Sequence, residues 1–152
     1  MANNSYQPIP TEKQGAPENF LYELRMFRQS LNFLNNLPEP KNPILCNISL
    51  ECTLLHARNL LDFFCGKKSS KDDLRASHFV PKSQGLSYWT SSKLSYIESR
   101  REDINKSLSH LTYTRSLQKP LWNLQKIQQE IDEAYNEFLS LLPKNERSNW
   151  TA

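Results

Sequence analysis

The chain is short of glycine, and that shortage narrows the folds open to it. Only 3 of its 152 residues are Gly, whereas average usage of about 7% would give about 11. A glycine-rich nucleotide loop, a propeller or a sandwich with many tight turns is therefore disfavoured. Long helices joined by few connections are favoured instead.

Long apolar runs and cysteine pairs are also missing. No apolar run approaches the roughly 20 residues of a membrane span, and residues 1–17 lack the basic start and apolar stretch of a signal peptide. We therefore interpret residues 1–17 as a flexible leader. The three cysteines are odd in number and form no CxxC motif, which indicates reduced thiols in a cytoplasmic protein. The missing apolar run predicts that the protein has no membrane partner.

The net charge of +3 is well below that of a dedicated duplex-DNA binder, so it allows a local phosphate site without requiring one. The sequence contains no P-loop, GxGxxG, HExxH or GxSxG motif. Cys52 and His56 are spaced to share one helix face, but no third or fourth zinc ligand accompanies them. We expect no metal and no other cofactor.

The nine prolines divide the chain into segments with helical periodicity. A proline inside a helix removes a hydrogen-bond donor and clashes with the preceding turn, so we expect helices between the prolines. The apolar spacing predicts helices over residues 18–37, 43–65, 91–111 and 120–143, with one long loop over 66–90. The predicted fold class is all-α, a four-helix antiparallel bundle. Its domain covers residues 18–143, and residues 144–152 form a polar tail.

The second predicted helix carries two apolar stripes, which suggests a wide buried surface and a central position. One stripe comprises Leu45, Ile48, Cys52, Leu55 and Asn59; the other comprises Leu50, Leu54, Ala57, Leu61 and Phe64.

Polar residues interrupt the apolar stripes at Asn59 and Arg101. Burying such a side chain costs several kcal/mol unless it meets an acid, backbone carbonyls or an anion that enters a cleft. One interpretation is a structural pair, with Asp62 or Glu51 as the partner of Arg101. The other is a ligand site, in which His56 and Asn59 face the third helix near Arg101 or Asn105.

A cluster of polar residues follows in the third predicted helix, between Arg100 and His110. Arg101 and Asn105 are four residues apart and share a face, and His110 can flank the same groove. A histidine can act as a general base or acid, and nearby Arg and Lys side chains stabilise phosphate. The alternative is that His110 only caps the helix end, where a cation is favoured.

The string INKSLSHLTYTR, which follows Arg100 and Arg101, resembles the signature of HEPN-type domains. The string HARNLLDFF, with His56, Arg58 and Asn59, resembles the preceding helix of such bacterial proteins. The resemblance covers about residues 45–142. It implies a small helical bundle from prokaryotic defence, toxin–antitoxin or nucleotide-binding systems. In catalytic members an Arg and a His cut RNA with the 2′-hydroxyl as nucleophile, usually across a dimer interface.

The resemblance assigns the motif histidine to His110, but the position five residues earlier is Asn105, and Arg101 lies nine residues earlier. We therefore expect an RNA- or nucleotide-binding or interaction module without catalysis. The alternative is a metal-independent ribonuclease that uses His110 with Arg101 or Arg58. The candidate catalytic residues are His110, Arg101 and Asn105, and the candidate ligand-binding residues are Lys106, Arg58, His56, Asn59 and Arg115.

The expected partners are RNA or a nucleotide, a second copy of the chain and a further protein. The aromatic side chains of the 66–90 loop, around Tyr88 and Trp89, or the third helix would form a homodimer interface, because aromatic residues are enriched in interface cores. The alternative is that Phe79 and Trp89 cover one end of the bundle.

Overall fold

A computed structural model describes residues 8–66, 73–81, 89–109 and 120–151. No strand occurs in these ranges, which confirms the all-α class. No helix in them is long and apolar enough to cross a membrane. The α-helices are α1 (Pro10–Asn35), α2 (Pro43–Cys65), α3 (Ser95–Ser99), α4 (Arg101–Ser109) and α5 (Leu124–Leu141), and two 3-10 turns cover Ala76–His78 and Arg147–Trp150.

Helix α1 begins at Pro10, which corrects the predicted start at residue 18 and the part of the predicted leader over residues 10–17. Residues 1–7 of that leader lie outside the described residues. Pro10 occupies the first turn, where its missing N–H costs nothing, and Glu12 accepts a hydrogen bond from the Ile9 backbone. Pro17 lies inside the helix. It is tolerated because the carbonyl that it leaves unpaired belongs to Lys13, which is exposed to water. Burial of Ala16 holds these first turns on the core.

Helices α1 and α2 form an antiparallel pair. The Thr53 hydroxyl donates a hydrogen bond to the Ser30 hydroxyl at 3.0 Å, and Glu23 lies beside His56, so the chain directions are opposed. Asn42 caps α2 by accepting from the Ile44 backbone, and the helix ends where Gly66 adopts a φ of 52°.

Only one of the two stripes predicted for α2 is buried. The stripe that contains Leu54, Ala57, Leu61 and Phe64 lies in the core. The prediction that the other stripe is also buried is wrong, because Leu45, Ile48 and Leu55 are all exposed. Helical spacing identifies an apolar face, but it does not say whether a neighbour covers that face.

An aromatic cluster fills the centre of the core. The Trp150 ring contacts Phe20, Phe63 and Phe138, and its ring centroid lies 5.0 Å from that of Phe138. Phe64 packs against the same three phenylalanines. Trp150 belongs to the predicted polar tail, and its burial corrects that prediction. Its indole reaches the core because the Arg147–Trp150 turn folds back after Pro143.

Two aromatic side chains of the predicted 66–90 loop pack onto this core. Phe79 lies 4.7 Å from Trp150, and Trp89 lies 6.2 Å from Phe138, measured between ring centroids. These contacts match the alternative in which Phe79 and Trp89 cover one end of the core. Tyr88 lies outside the described residues.

The predicted third helix is two helices, α3 and α4, separated at Arg100. Arg100 donates to the Leu121 carbonyl and stacks over the Trp122 ring at 5.2 Å. The change of direction lets α3 pack on α5 while α4 packs on α2. Helix α5 begins at Leu124 rather than near Pro120, because the Asn123 side chain caps it by accepting from the Lys126 backbone.

The first turn of α3 is capped from another helix. Glu130 of α5 is buried and accepts hydrogen bonds from the backbone N–H groups of Tyr96 and Ile97, each at 3.0 Å. The Ser95 hydroxyl donates to the same carboxylate. A helix of five residues cannot satisfy its own first N–H groups, so this contact holds α3 in place.

Candidate functional site

Arg101, the central residue of the predicted site, is held by two carboxylates. Its guanidinium donates to Asp62 of α2 and to Glu98 of α3, the latter at 3.0 Å. The side chain is 11% exposed. These contacts match the interpretation of Arg101 as part of a structural pair with Asp62, and not as part of a ligand site.

The charges around Arg101 leave little affinity for a phosphate. Burial alone lowers the pKa of the guanidinium, but the hydrogen bonds and charges of Asp62 and Glu98 outweigh it and raise the pKa above its ordinary value. The positive charge is thus fixed and already neutralised. A phosphate would have to displace a carboxylate from a well-formed hydrogen bond.

His56 and Asn59 face α1, not α4, which corrects the prediction that they lie near Arg101 or Asn105. The Nδ1 of His56 donates to Oε2 of Glu23 at 2.7 Å, and the Asn59 amide donates to the same oxygen at 2.9 Å. The sequence showed that Asn59 needs a polar partner. It did not show that α1 would supply that partner.

The cavity beside Asn59 is acidic. It measures about 350 Å³, and the carboxylates of Glu23, Asp62 and Asp73 line it together with Tyr22. Three carboxylates repel phosphate, so this cavity disfavours an RNA backbone or a nucleotide phosphate.

Of the remaining predicted residues, the structure describes Arg58, Asn105 and Lys106. Arg58 lies 3.9 Å from Asp62, and Lys106 is exposed on α4. The Asn105 side-chain oxygen is buried without a hydrogen-bond partner. His110 and Arg115, the other two candidates, lie outside the described residues.

Within residues 8–66, 73–81, 89–109 and 120–151, no three His, Cys, Asp or Glu side chains are grouped so that they could hold a metal ion. Cys52 and His56, the pair considered from the sequence, therefore gain no third ligand there. The His56 ring is instead engaged by Glu23.

A second opening is a groove that sequence reasoning missed. It measures about 1070 Å³ and runs between α1, the Ala76–His78 turn and the Arg147–Trp150 turn. Its apolar wall is formed by Leu21, Leu24, Phe79 and Trp150. Ligand sites commonly have this size and this mixture of apolar wall and polar rim.

The groove carries cations that have no acidic partner within the described structure. Lys13 and Arg25 line it without a salt bridge, whereas Arg28 is engaged by Asp132 at 2.7 Å. Glu18 and Glu146 add two carboxylates to the rim. The groove is therefore mixed in charge, with two free cations on its α1 side.

His78 also lines the groove. Burial lowers the pKa of its imidazole most, and the nearby charges of Arg75 and Lys13 lower it further. Arg75 and Lys13 therefore contribute a positive potential at the ring.

One signal in the sequence could have indicated the groove. Lys13, Leu21 and Arg25 recur at multiples of four residues and therefore lie along one side of a continuous helix. Because the predicted helix begins after Pro17, the prediction places Lys13 and Arg25 in different segments.

Family models, characterised proteins and solved structures were all compared with the chain, and none matches it.

Proposed function

We propose that this protein is a HEPN-like bundle module that binds RNA or a nucleotide without cutting it, and that the ligand occupies the groove beside α1. In this proposal α1, α2, α4 and α5 correspond to the four helices of the bundle. The resemblance of residues 100–115 to the HEPN signature supports the class, and it suggests a role in a prokaryotic defence or toxin–antitoxin system.

The groove itself carries the proposal. Lys13 and Arg25 have no acidic partner within the described structure, and both line an opening with an apolar wall. Cationic side chains beside apolar or aromatic surface suit a ligand with a phosphate and a flat base, because each part then meets a matching surface.

The carboxylates of the rim favour a nucleotide over bare phosphate. Glu18 and Glu146 can only accept hydrogen bonds, and ribose hydroxyls and exocyclic amino groups are donors. An inorganic phosphate would gain from Lys13 and Arg25 but would meet repulsion from both carboxylates.

The state of Arg101 supports binding without catalysis. A ribonuclease of this kind needs an arginine that is free to stabilise the pentavalent phosphate. Arg101 is engaged by Asp62 and Glu98, and the adjacent cavity is acidic.

The test is isothermal titration calorimetry of the protein with three separate ligands: adenosine monophosphate, a short single-stranded RNA and inorganic phosphate. Lys13→Gln and Arg25→Gln should each weaken nucleotide or RNA binding about tenfold, which corresponds to about 1.4 kcal/mol. Lys106→Gln, an exposed lysine of the predicted motif, is the matched control and should bind as the wild type does.

The three ligands separate the possible outcomes. Tighter binding of RNA than of the mononucleotide identifies a strand as the ligand, and the reverse identifies a nucleotide. No binding of either one overturns the proposal. Loss of binding in Lys106→Gln but not in Lys13→Gln would place the site at the motif and not in the groove.

A further inference from the structure

An exposed apolar surface covers the outer side of the α1–α2 pair. We call it the α1–α2 face and define it by six side chains that are all between 40% and 68% exposed: Tyr22, Phe33, Ile44, Leu45, Ile48 and Leu55. Three of them, Leu45, Ile48 and Leu55, belong to the α2 stripe that the sequence predicts to be buried.

The six side chains lie on neighbouring strips of the two helices. Ile44, Ile48 and Leu55 recur at helical spacing along about 16 Å of α2. On α1, the Tyr22 ring lies 5.9 Å from the His56 ring. The Ser30–Thr53 hydrogen bond fixes the register that brings Phe33 toward the first half of α2.

The α2 part of this surface is nearly free of charge. Between Pro43 and Ala57 the only Asp, Glu, Lys or Arg is Glu51. The exposed face of a solvated helix is normally rich in charged residues. Depletion of charge with apolar and aromatic enrichment is instead the composition of an interface core.

The area of the face is close to what one side of a stable dimer needs. Half-exposed side chains of this size contribute roughly 100 Å² each, so the six expose about 600 Å². That is at the upper limit of the largest apolar patch on a typical monomer, about 300–600 Å². A standard interface buries about 800 Å² per partner.

We propose that the α1–α2 face is the contact surface for a second copy of this chain. In a two-fold dimer each face meets its own copy, so identical residues approach one another near the axis. Charged faces repel in that arrangement, whereas an uncharged apolar face does not. A different protein would be selected by charge complementarity, which this face has little means to provide.

The groove and the α1–α2 face share no residue. The groove is lined from α1 and the two 3-10 turns, and no α2 residue contributes to it. The inference therefore does not depend on the proposed ligand. It also differs from the sequence-based expectation, which placed the dimer contact at the third helix or around Tyr88 and Trp89.

Light scattering after gel filtration over a dilution series tests the proposal. The wild type should have about twice the monomer mass of 17.8 kDa. Ile48→Lys places a like charge in both copies of the face, and it should weaken dimerisation at least 100-fold. Because Ile48 is 58% exposed, the monomer should remain folded, with an unchanged circular dichroism spectrum.

Leu121→Lys is the matched control, since Leu121 is 91% exposed but lies outside the α1–α2 face. This variant should dimerise as the wild type does. A wild type that stays monomeric at high concentration overturns the proposal. A dimer that survives Ile48→Lys also overturns it, because another surface must then make the contact.

Discussion

Replacing Arg101 with Gln should destabilise the protein and leave ligand binding unchanged. The side chain is 11% exposed, and its two partners, Asp62 and Glu98, are each 35% exposed. Breaking a fully buried pair costs about 3–5 kcal/mol, and an exposed pair is worth less than about 1 kcal/mol. The partly exposed partners place Arg101→Gln between these limits, at about 2–3 kcal/mol.

The free energy of unfolding in urea, followed by far-UV circular dichroism, measures this cost. For a chain of this length the same loss lowers the melting temperature by roughly 5–10 °C. Lys106→Gln is the control on the same helix and should stay within about 0.5 kcal/mol of the wild type.

A double-mutant cycle shows where the loss arises. Asp62→Asn combined with Arg101→Gln should give a coupling energy of about 1–3 kcal/mol, because the two side chains are in direct contact. The reasoning is refuted if Arg101→Gln leaves stability unchanged. It is also refuted if that variant stays fully stable but loses ligand binding, because Arg101 would then be a ligand residue.

Two further predictions concern a cap and a histidine. Glu130→Ala should lower the free energy of unfolding in urea by about 3 kcal/mol, because it leaves the N–H groups of Tyr96 and Ile97 unpaired. Glu133→Ala, on the exposed side of α5, is the control and should lower it by less than about 0.5 kcal/mol. An equal effect of the two would contradict the capping role. The pKa of His78 lies below its unfolded value of 6.5, so its contribution to stability is complete above pH 6.5 and is lost as the pH falls toward the folded pKa. His78→Asn should flatten the stability profile below about pH 6.5, and an unchanged profile would exclude His78 as its source.

The helical class, the main apolar stripes and several helix ends can be predicted from the sequence alone. Within the predicted helix over residues 18–37, helical spacing places four apolar side chains on one stripe, and the structure buries all four: Phe20, Leu24, Phe27 and Leu31. The start of α2 at Asn42 and its end at Gly66 were also predicted. Caps depend on the residue itself and its nearest neighbours, so local sequence is sufficient to place them.

Which partner each polar or apolar group meets depends on tertiary packing and cannot be predicted from local sequence. Glu130 caps a helix that lies 34 residues earlier in the chain, and Glu23 of α1 takes the hydrogen bonds of His56 and Asn59. Trp150 fills the core from a segment that reads as a polar tail. Spacing along a chain shows that a side chain needs a partner, but the partner is chosen by how distant segments pack. For the same reason, the sequence could not show that the groove beside α1 is open or that the outer stripe of α2 lacks a neighbour within the described structure.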